Sequence, residues 1–290
     1  KRAGAMVEAP CVNTSEELCS LHKAASRQAA SGKSNSPLAH SSLAARIFLG
    51  LGNIKSLESE TAQLILNERR LNGPFVDLQD LLKRVPLHVE QARILIRVGA
   101  LRFTGRSKPQ LLWDLTLLHK PARVTADGDL FITKVEEPKL PDLHHHPLAD
   151  AYDELDLLGF PLCDPFALVE HGAASTATTQ QRNDDEALTI RKRDMEKHIG
   201  KQVRMLGYMI HVKTTTTSRG DYMSFGSFID PAGDFWDSTQ FPSVATRYPF
   251  RGRGVYRLIG VVEEEFGHCA LRTISMEKIP WRPDPRYGEK

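Results

Sequence analysis

The chain has 290 residues, of which 41% are hydrophobic and 26% are charged, and its formal net charge is +2. This composition excludes a disordered chain and is typical of about two domains with hydrophobic cores. The sequence holds no apolar run of about 18 residues and no apolar N-terminal stretch, which argues against a membrane span or secretory signal and predicts a cytoplasmic protein. The four cysteines are too scattered for a zinc knuckle, so we expect no metal site or cofactor in this chain.

Charge is distributed unevenly along the chain. Residues 1–126 hold 18 Lys and Arg against 10 Asp and Glu, residues 127–186 hold 3 against 14, and residues 187–290 hold 17 against 12. Two basic segments flanking an acidic one indicate two modules that face a polyanion, joined by a spacer that the polyanion repels. The alternative is two solvated surfaces with a polar linker.

The first basic segment begins with a Ser- and Ala-rich stretch at residues 23–46, which predicts a surface insertion. The motif GLGNIKSL follows at residues 50–57. Its glycines allow close approach of the backbone and its lysine adds charge, so it fits a turn that presents amide groups to a phosphate. An ordinary loop before a helix is the alternative.

Four helices are predicted after this motif, at about residues 58–70, 75–85, 88–98 and 107–120. In the first of them Ala62, Ile65 and Leu66 fall on one face, and Gly73 is placed to end the helix. Short helices joined by tight turns are therefore expected in the N-terminal half.

The hydrophobic period changes in the C-terminal half. Five runs rich in Val, Ile, Thr, Tyr and Phe lie between residues 202 and 279, and turn sequences such as SRGD and DPAGD separate them. Five short strands in roughly 90 residues fit a small closed barrel better than a sandwich, and an OB-type barrel is the leading candidate.

Taken together, these segments resemble the C-terminal part of the bacterial DNA polymerase III alpha subunit, the replicative DNA polymerase of the C family. The resemblance rests on five stretches in the same order: RAGAMVEAPCVNTSEE (2–17), LGLGNIKSL with ILNERRLNGPFVDLQDLLKR (49–84), EQARILIRVGALRFTGRSKPQLL (90–112), DELDLLGFPLCDPFALV (153–169) and GYMIHVKTTTTSRGDYMSFGSFIDPAGDFWDSTQFP (207–242).

The resemblance implies an α+β protein with five parts. These are the end of a polymerase core with a flexible insertion (1–46), a tandem helix-hairpin-helix module (47–122), an acidic connector (123–186), a five-stranded OB-type β-barrel (187–282) and a tail (283–290). The chain is then the DNA-binding portion of a DNA-directed DNA polymerase that holds duplex and single-stranded template for DNA replication. The family's catalytic carboxylates and their Mg²⁺ belong to a palm that would precede residue 1, so we expect no catalytic residue in this chain.

Two other functions fit parts of the pattern. One is a free-standing nucleic-acid-binding accessory protein without polymerase activity, for which the stretch at residues 2–17 has no evident use. The other is an OB-containing part of an aminoacyl-tRNA synthetase, although the sequence shows no adenylating motif.

Candidate DNA-binding residues lie in both modules. In the helical module they are Lys55, Arg97, Gly99, Arg102, Arg106 and Lys108. In the barrel, basic groups would track the backbone while aromatic rings stack on bases, and the candidates are Lys213, Arg219, Tyr222, Phe225, Trp236, Arg251 and Arg253. Strand alternation separates Tyr222 from Phe225, and we expect Tyr222 to face outward and Phe225 inward.

The first hairpin departs from the family pattern. The family has a Gly-x-Gly hairpin after the lysine, whereas this chain has Ser56, Leu57 and Glu58. Without the glycines we do not expect the turn to adopt positive φ readily, and Glu58 would repel a phosphate. The second hairpin, which ends at Gly99, is therefore the better candidate for phosphate binding.

The connector holds a candidate clamp-binding peptide. Leu130 and Phe131 are the apolar anchors, although Asp127 stands where the family usually has glutamine. The sliding clamp and other replisome subunits are thus possible partners besides DNA, and the alternative is a loop whose apolar pair packs locally.

Overall fold

The computed structural model describes residues 6–22, 46–119, 145–170, 188–218 and 220–287. These residues form two compact units. The first, the helical unit, extends to Leu162 and includes the chain again from Asp284, and the second, the barrel unit, comprises Cys163–Pro283. Within the described ranges, no helix is both long and apolar enough to span a bilayer.

The helical unit combines short helices with a small sheet. Its α-helices are α1 (Ser59–Asn72), α2 (Leu78–Arg84), α3 (Val89–Arg97), α4 (Lys108–His119) and α5 (Pro147–Leu157). Its strands are β1 (Met6–Glu8), β2 (Ser20–His22) and β3 (Arg46–Phe48). In the sheet β3 lies between β1, to which it is parallel, and β2, to which it is antiparallel.

The predicted apolar stripe of α1 is buried, as its period requires. Ala62, Ile65 and Leu66 are all in the core of the helical unit, together with residues from α2, α3 and α4. Gly73 follows α1 with φ of 80°, a conformation that glycine adopts at little cost. The four helices predicted between residues 58 and 120 are therefore confirmed.

Helix α5 lies in the segment that the sequence analysis treated as a connector. Ala151 and Leu157 of α5 are buried, and Leu157 belongs to the core of the helical unit. The many acidic residues of this segment led to its interpretation as a connector. In the structure its aspartates make ion pairs within the helical unit.

The barrel unit is a five-stranded closed barrel. Its strands are β5 (Gln202–Thr216), β6 (Tyr222–Ile229), β7 (Phe235–Gln240), β8 (Val255–Glu265) and β9 (His268–Lys278), with α6 (Pro242–Arg247) between β7 and β8 and a short β4 (Leu188–Ile190) parallel to the start of β5. The strand order is β5-β6-β7-β9-β8, and pairing of β8 with β5 closes the barrel. Only β7 and β9 are parallel among the barrel pairs. This topology, with a helix after the third barrel strand, is that of an OB-type barrel and confirms the prediction.

Aromatic residues fill the barrel interior. The rings of Phe228 and Trp236 are stacked with centroids 4.6 Å apart, and Tyr256 meets Phe228 edge-on. Gly207 is required beside them, because a side-chain carbon there would lie 2.7 Å from both Phe228 and Trp236.

Candidate nucleic-acid interface

A close backbone contact explains the two glycines of the GLGNIKSL segment. A side-chain carbon on Gly50 would lie 2.3 Å from the carbonyl oxygen of Glu17, and one on Gly52 would lie 3.0 Å from the same atom. The amide groups of Leu51 and Gly52 donate to the carbonyl oxygens of Glu16 and Glu17. Because these amides bond within the chain, this part of the segment is an ordinary loop packed against residues 16–18.

The turn that follows contains a serine in the left-handed conformation. Ser56 has φ of 62°, so the expectation that positive φ would be avoided without glycine was wrong. The buried Gln91 of α3 explains it: Nε2 donates to the carbonyl oxygen of Ser56 at 3.1 Å, and Oε1 accepts from the amide of Glu58 at 3.0 Å. The Gln91 side chain thus stabilises the turn and accepts the hydrogen bond of the Glu58 amide. The neighbouring Lys55 side chain is exposed.

Arg97, at the end of α3, is bonded to aspartates of α5. Its Nε donates to Oδ1 of Asp153 at 2.9 Å, and its Nη2 donates to Oδ2 of Asp156 at 2.9 Å. Burial opposes the charged form of Arg97, but the bonds to the two aspartates outweigh it and raise its pKa. The guanidinium is therefore engaged inside the helical unit rather than open to solvent.

Asp153 is the centre of this ion-pair network. Its side chain is 5% exposed, and besides Arg97 it contacts Nη1 of Arg286 at 2.7 Å and Nζ of Lys108 at 3.7 Å. Lys108 also pairs with Asp150. The acidic helix α5 thus neutralises Arg97 and Lys108, two of the predicted phosphate contacts, and their role toward DNA stays a prediction.

The remaining candidates of the helical unit have structural partners as well. Gly99 has φ of 80°, and its amide donates to the carbonyl oxygen of Ile96, which closes the end of α3. Arg102 donates to the carbonyl oxygen of Pro10 at 2.7 Å, and Arg106 pairs with Asp114 at 3.1 Å. Arg106 is half-exposed.

The outer face of the barrel unit brings a basic and an aromatic residue together. Lys213 of β5 is the direct antiparallel partner of Phe225 of β6, and Phe225 is in turn paired with Thr239 of β7. Thr239 is paired with Arg272 of β9, which also contacts Glu263. Directly paired residues point to the same side of a sheet, so these four form a line across the strands, which we call the outer row (Lys213, Phe225, Thr239 and Arg272).

The predicted orientation of the aromatic residues of β6 was wrong. Ser224, Gly226 and Phe228 face the interior, whereas Phe225 is 39% exposed on the outer face. By strand alternation Tyr222 lies on the same side as the inward-facing Ser224. Because Tyr222 is at the end of the strand, it is nevertheless 69% exposed. Small side chains are needed at the inward positions because Phe228 and its neighbours already fill the barrel.

Trp236 was wrongly predicted to stack on bases. It is 1% exposed and belongs to the interior cluster with Phe228. Small barrels use aromatic side chains to fill their interior, and sequence alternation does not say which phase of β7 is inside.

The barrel's other predicted cations lie in the loop after α6. The side chains of Arg251 and Arg253 are both exposed. The backbone amide of Arg251 donates to the hydroxyl of Tyr256, which fixes the loop to the barrel. Arg219 and the clamp-binding anchors Leu130 and Phe131 lie outside the described residues.

Sequence reasoning missed Thr239 and Arg272. Both lie in strands that were predicted, but only the pairing of β6 with β7 places Thr239 beside Phe225, and only the parallel pairing of β7 with β9 places Arg272 beside Thr239. The alternation within each strand is a signal for their outward orientation, and it does not identify their neighbours.

The chain matches a family model described as "Helix-hairpin-helix motif" over residues 4–111. It is 34% identical over 153 residues to an error-prone DNA polymerase of Mycobacterium tuberculosis, an alignment that covers 52% of this chain and 12% of the relative. It is 38% identical over 69 residues to a DNA polymerase III subunit alpha of Staphylococcus epidermidis, covering 23% of this chain and 6% of the relative. These alignments thus span only a small part of the length of the relatives.

Among solved structures, the single-stranded DNA binding protein from Thermus aquaticus aligns with a TM-score of 0.26 and 14% identity, over 28% of this chain and 41% of that one. The second OB-fold domain of replication protein A from Methanococcus maripaludis aligns with a TM-score of 0.25 and 11% identity, over 33% of this chain and 99% of that one. The assignment of the barrel rests on its own strand order and closure.

The helix-hairpin-helix match overlaps the first three of the segments on which the resemblance was based. Over about half of its length the chain is homologous to error-prone DNA polymerases, and over about a quarter of its length it is homologous to DNA polymerase III alpha subunits.

Proposed function

We propose that this chain is a DNA-binding portion of a C-family DNA polymerase and that its barrel binds the single-stranded template during DNA replication. The outer row carries the proposal. It places a half-exposed aromatic ring directly beside the exposed Lys213, with Arg272 two strands away on the same face. A base stacks on such a ring while cations contact the phosphates, and neither contact depends on the base sequence.

The helical unit is the weaker of the two candidate DNA-binding surfaces in its present arrangement. Arg97 and Lys108 are paired with the aspartates of α5, so a phosphate would have to compete with carboxylates already in place. Among the predicted contacts of this unit, Lys55 has an exposed side chain, and Arg106 is half-exposed although it pairs with Asp114 at 3.1 Å. We therefore assign duplex binding to these two residues and single-strand binding to the barrel.

Polymerisation itself is assigned to parts of a longer enzyme. The resemblance puts the catalytic carboxylates and their Mg²⁺ in a palm, and the relatives are several times longer than the segments they share with this chain. The sliding clamp is a proposed partner through residues 127–131, and other replisome subunits are further proposed partners. A free-standing accessory protein would have the same DNA-binding surfaces, so DNA binding does not distinguish the two functions. Upstream coding sequence with paired palm aspartates would identify the polymerase.

The experiment that tests DNA binding is a salt titration. The chain is mixed with a fluorescently labelled single strand, and anisotropy gives the dissociation constant between about 50 and 200 mM salt. We expect a steep linear fall of the logarithm of affinity with the logarithm of salt, because each phosphate contact releases bound counterions. The variant Lys213→Ala should reduce the slope by about one, and Lys201→Ala, an exposed lysine outside the outer row, should leave it unchanged. A flat salt dependence would contradict the proposal.

A further inference from the structure

A cavity of about 580 Å³ opens at one end of the barrel. It lies where β6 begins and β7 ends, under α6 and the loop that follows it. Its walls include Met209 and Val212 of β5, Ser224 of β6, Gln240 of β7 and Ala245 of α6. The outer row is on the opposite side of the strands, so this cavity is a separate feature of the barrel.

The lining of the cavity is apolar and aromatic with a few hydroxyl groups, and none of its lining residues is charged. Phe250 contributes a half-buried ring. Tyr222, which is largely exposed, forms part of the rim, and Thr214 and Thr246 supply hydroxyl groups. A flat, uncharged molecule with a polar edge suits such walls, whereas a phosphate or metal ion would find no charge to balance its own.

Gln240 lines the cavity and carries a hydrogen-bond acceptor without a partner among the described residues. The residue is fully buried, and its Nε2 donates to the sulfur of Met276 at 3.1 Å. Its Oε1 has no hydrogen-bond partner among the residues that the structure describes. A buried carbonyl oxygen without a partner is unfavourable, and a ligand that donates an N–H to it would remove that cost.

We propose that this cavity binds a single nucleobase, whose polar edge donates an N–H to Oε1 of Gln240 while the rings of Tyr222 and Phe250 contact its faces. Every DNA base carries at least one N–H donor on its pairing edge. The exposed Arg251 stands next to Gly252, a lining residue, and would meet a phosphate outside the cavity. The inference rests on the proposed function when the base belongs to a DNA strand, and it stands independently for a free nucleoside.

The main test replaces Gln240 and a matched residue separately. Gln240→Met keeps the length of the side chain and its contact with Met276 but removes the acceptor. Ser238→Ala is the control. Ser238 lies two residues earlier on the same face of β7, is equally buried and also has an oxygen without a partner among the described residues. Unlike Gln240, it does not line the cavity. Both variants should unfold at a temperature no lower than that of the wild type, since each loses a buried unpaired group.

The probe is a short oligodeoxyadenylate, whose binding to the full chain is measured. It is compared with a series of strands that each carry one abasic position at a different place. We expect Gln240→Met to lower affinity for the intact strand roughly threefold to tenfold, as loss of one hydrogen bond predicts, and Ser238→Ala to have no effect. One abasic position should lower wild-type affinity and leave that of Gln240→Met nearly unchanged. Ala245→Phe on α6, which fills the cavity from a partly exposed position, should behave like Gln240→Met and serves if that variant does not fold.

Adenosine alone distinguishes the source of the base. If it raises the thermal midpoint of the wild type but not of Gln240→Met, the cavity accepts a free nucleoside. If the strand binds with a steep salt dependence but neither Gln240→Met nor the abasic position changes its affinity, and adenosine has no effect, the cavity inference is overturned while the proposed function stands. If neither the strand nor adenosine binds, both fail.

Discussion

Lys213 and Phe225 are direct partners on neighbouring antiparallel strands of the barrel, and both point outward. Directly opposite side chains in such a pair lie about 5 Å apart at their first carbon atoms. The ammonium group and the ring can therefore contact one nucleotide, the ring through the base and the lysine through the adjoining phosphate.

Phe225→Ala should weaken single-strand binding. The loss of one base stack is expected to cost roughly 1 to 3 kcal/mol of binding free energy, measured by fluorescence anisotropy at fixed salt. Phe266→Ala is the matched control, because Phe266 is 100% exposed but sits in the β8–β9 turn after three glutamates. Equal losses in the two variants would show that the outer row has no special role.

Asp153→Asn should expose the cations of the helical unit to DNA. The change removes the charge that Arg97, Lys108 and Arg286 share, so the unit should lose roughly 1 to 3 kcal/mol of unfolding free energy, the order of hydrogen bonds to charged groups. Duplex affinity should rise a few-fold with a steeper salt dependence.

The control for this change is Glu90→Gln, which removes an exposed carboxylate of α3 that pairs only with Arg93 within the described residues. It should alter neither stability nor duplex affinity. If Asp153→Asn lowers stability but leaves duplex binding as it was, Arg97 and Lys108 are structural residues and not phosphate contacts.

Arg84 makes the helical unit sensitive to acid. Its guanidinium donates to Oε1 of Glu68 at 3.0 Å, to Oδ2 of Asp80 at 3.1 Å and to the carbonyl oxygen of Gly73 at 2.8 Å, and it lies over the ring of Phe75. The bond from Arg84 lowers the pKa of Glu68 below its ordinary 4.5. The backbone amide of Val76, and then Arg84, lower the pKa of Asp80 below 3.8.

Because both folded-state pKa values are lowered, the two carboxylates contribute stability above their ordinary pKa values and lose that contribution as the pH falls through the folded-state values. The thermal midpoint should therefore fall as the pH drops below about 4.5, the ordinary pKa of Glu68. Arg84→Lys should lower the midpoint by several degrees at neutral pH, since a lysine cannot make the forked contacts, and it should flatten the acid dependence. An unchanged pH profile in this variant would contradict the assignment. Arg93→Lys, an exposed change on α3, is the control.

Ser56→Gly should stabilise the helical unit. Ser56 holds φ of 62°, which is strained for a residue with a side-chain carbon, so glycine is expected to add about 0.5 to 1 kcal/mol of unfolding free energy despite its larger freedom in the unfolded chain. Gly73→Ala is the opposite change, at φ of 80° with open space around it, and should cost about 1 kcal/mol. Urea unfolding measures both, and a loss of stability in Ser56→Gly would show that the turn is not strained.

Much of the fold was readable from local sequence patterns. The stripe of Ala62, Ile65 and Leu66 identified α1 because burial follows the 3.6-residue period of a helix. The five β-rich runs identified the barrel strands for the same kind of reason. The short strands β1 to β3 gave no comparable signal, since three residues are too few to show a period. Helix α6 was also missed, and it is only six residues long.

The functional surfaces were predicted less well. Trp236 was expected to be accessible and Phe225 to face inward, but Trp236 is buried and Phe225 faces outward. Alternation along one strand gives two phases and does not say which phase is inside. Arg97 was predicted as an open phosphate contact, but its partner Asp153 is 56 residues away in the sequence. Local patterns carry no information on contacts at that separation.

The sequence by itself determined the helical and barrel segments, the basic and acidic blocks and the resemblance to the C-family DNA polymerases, because these depend on residues that are neighbours in the chain. Only the tertiary structure decided that Lys213 and Phe225 are direct partners, that α5 neutralises Arg97 and Lys108, and that Gln240 lines a cavity and carries an acceptor without a partner among the described residues. Each of these depends on which segments pack together, and that packing is set by closure of the barrel and burial of the helix faces rather than by any single stretch of residues.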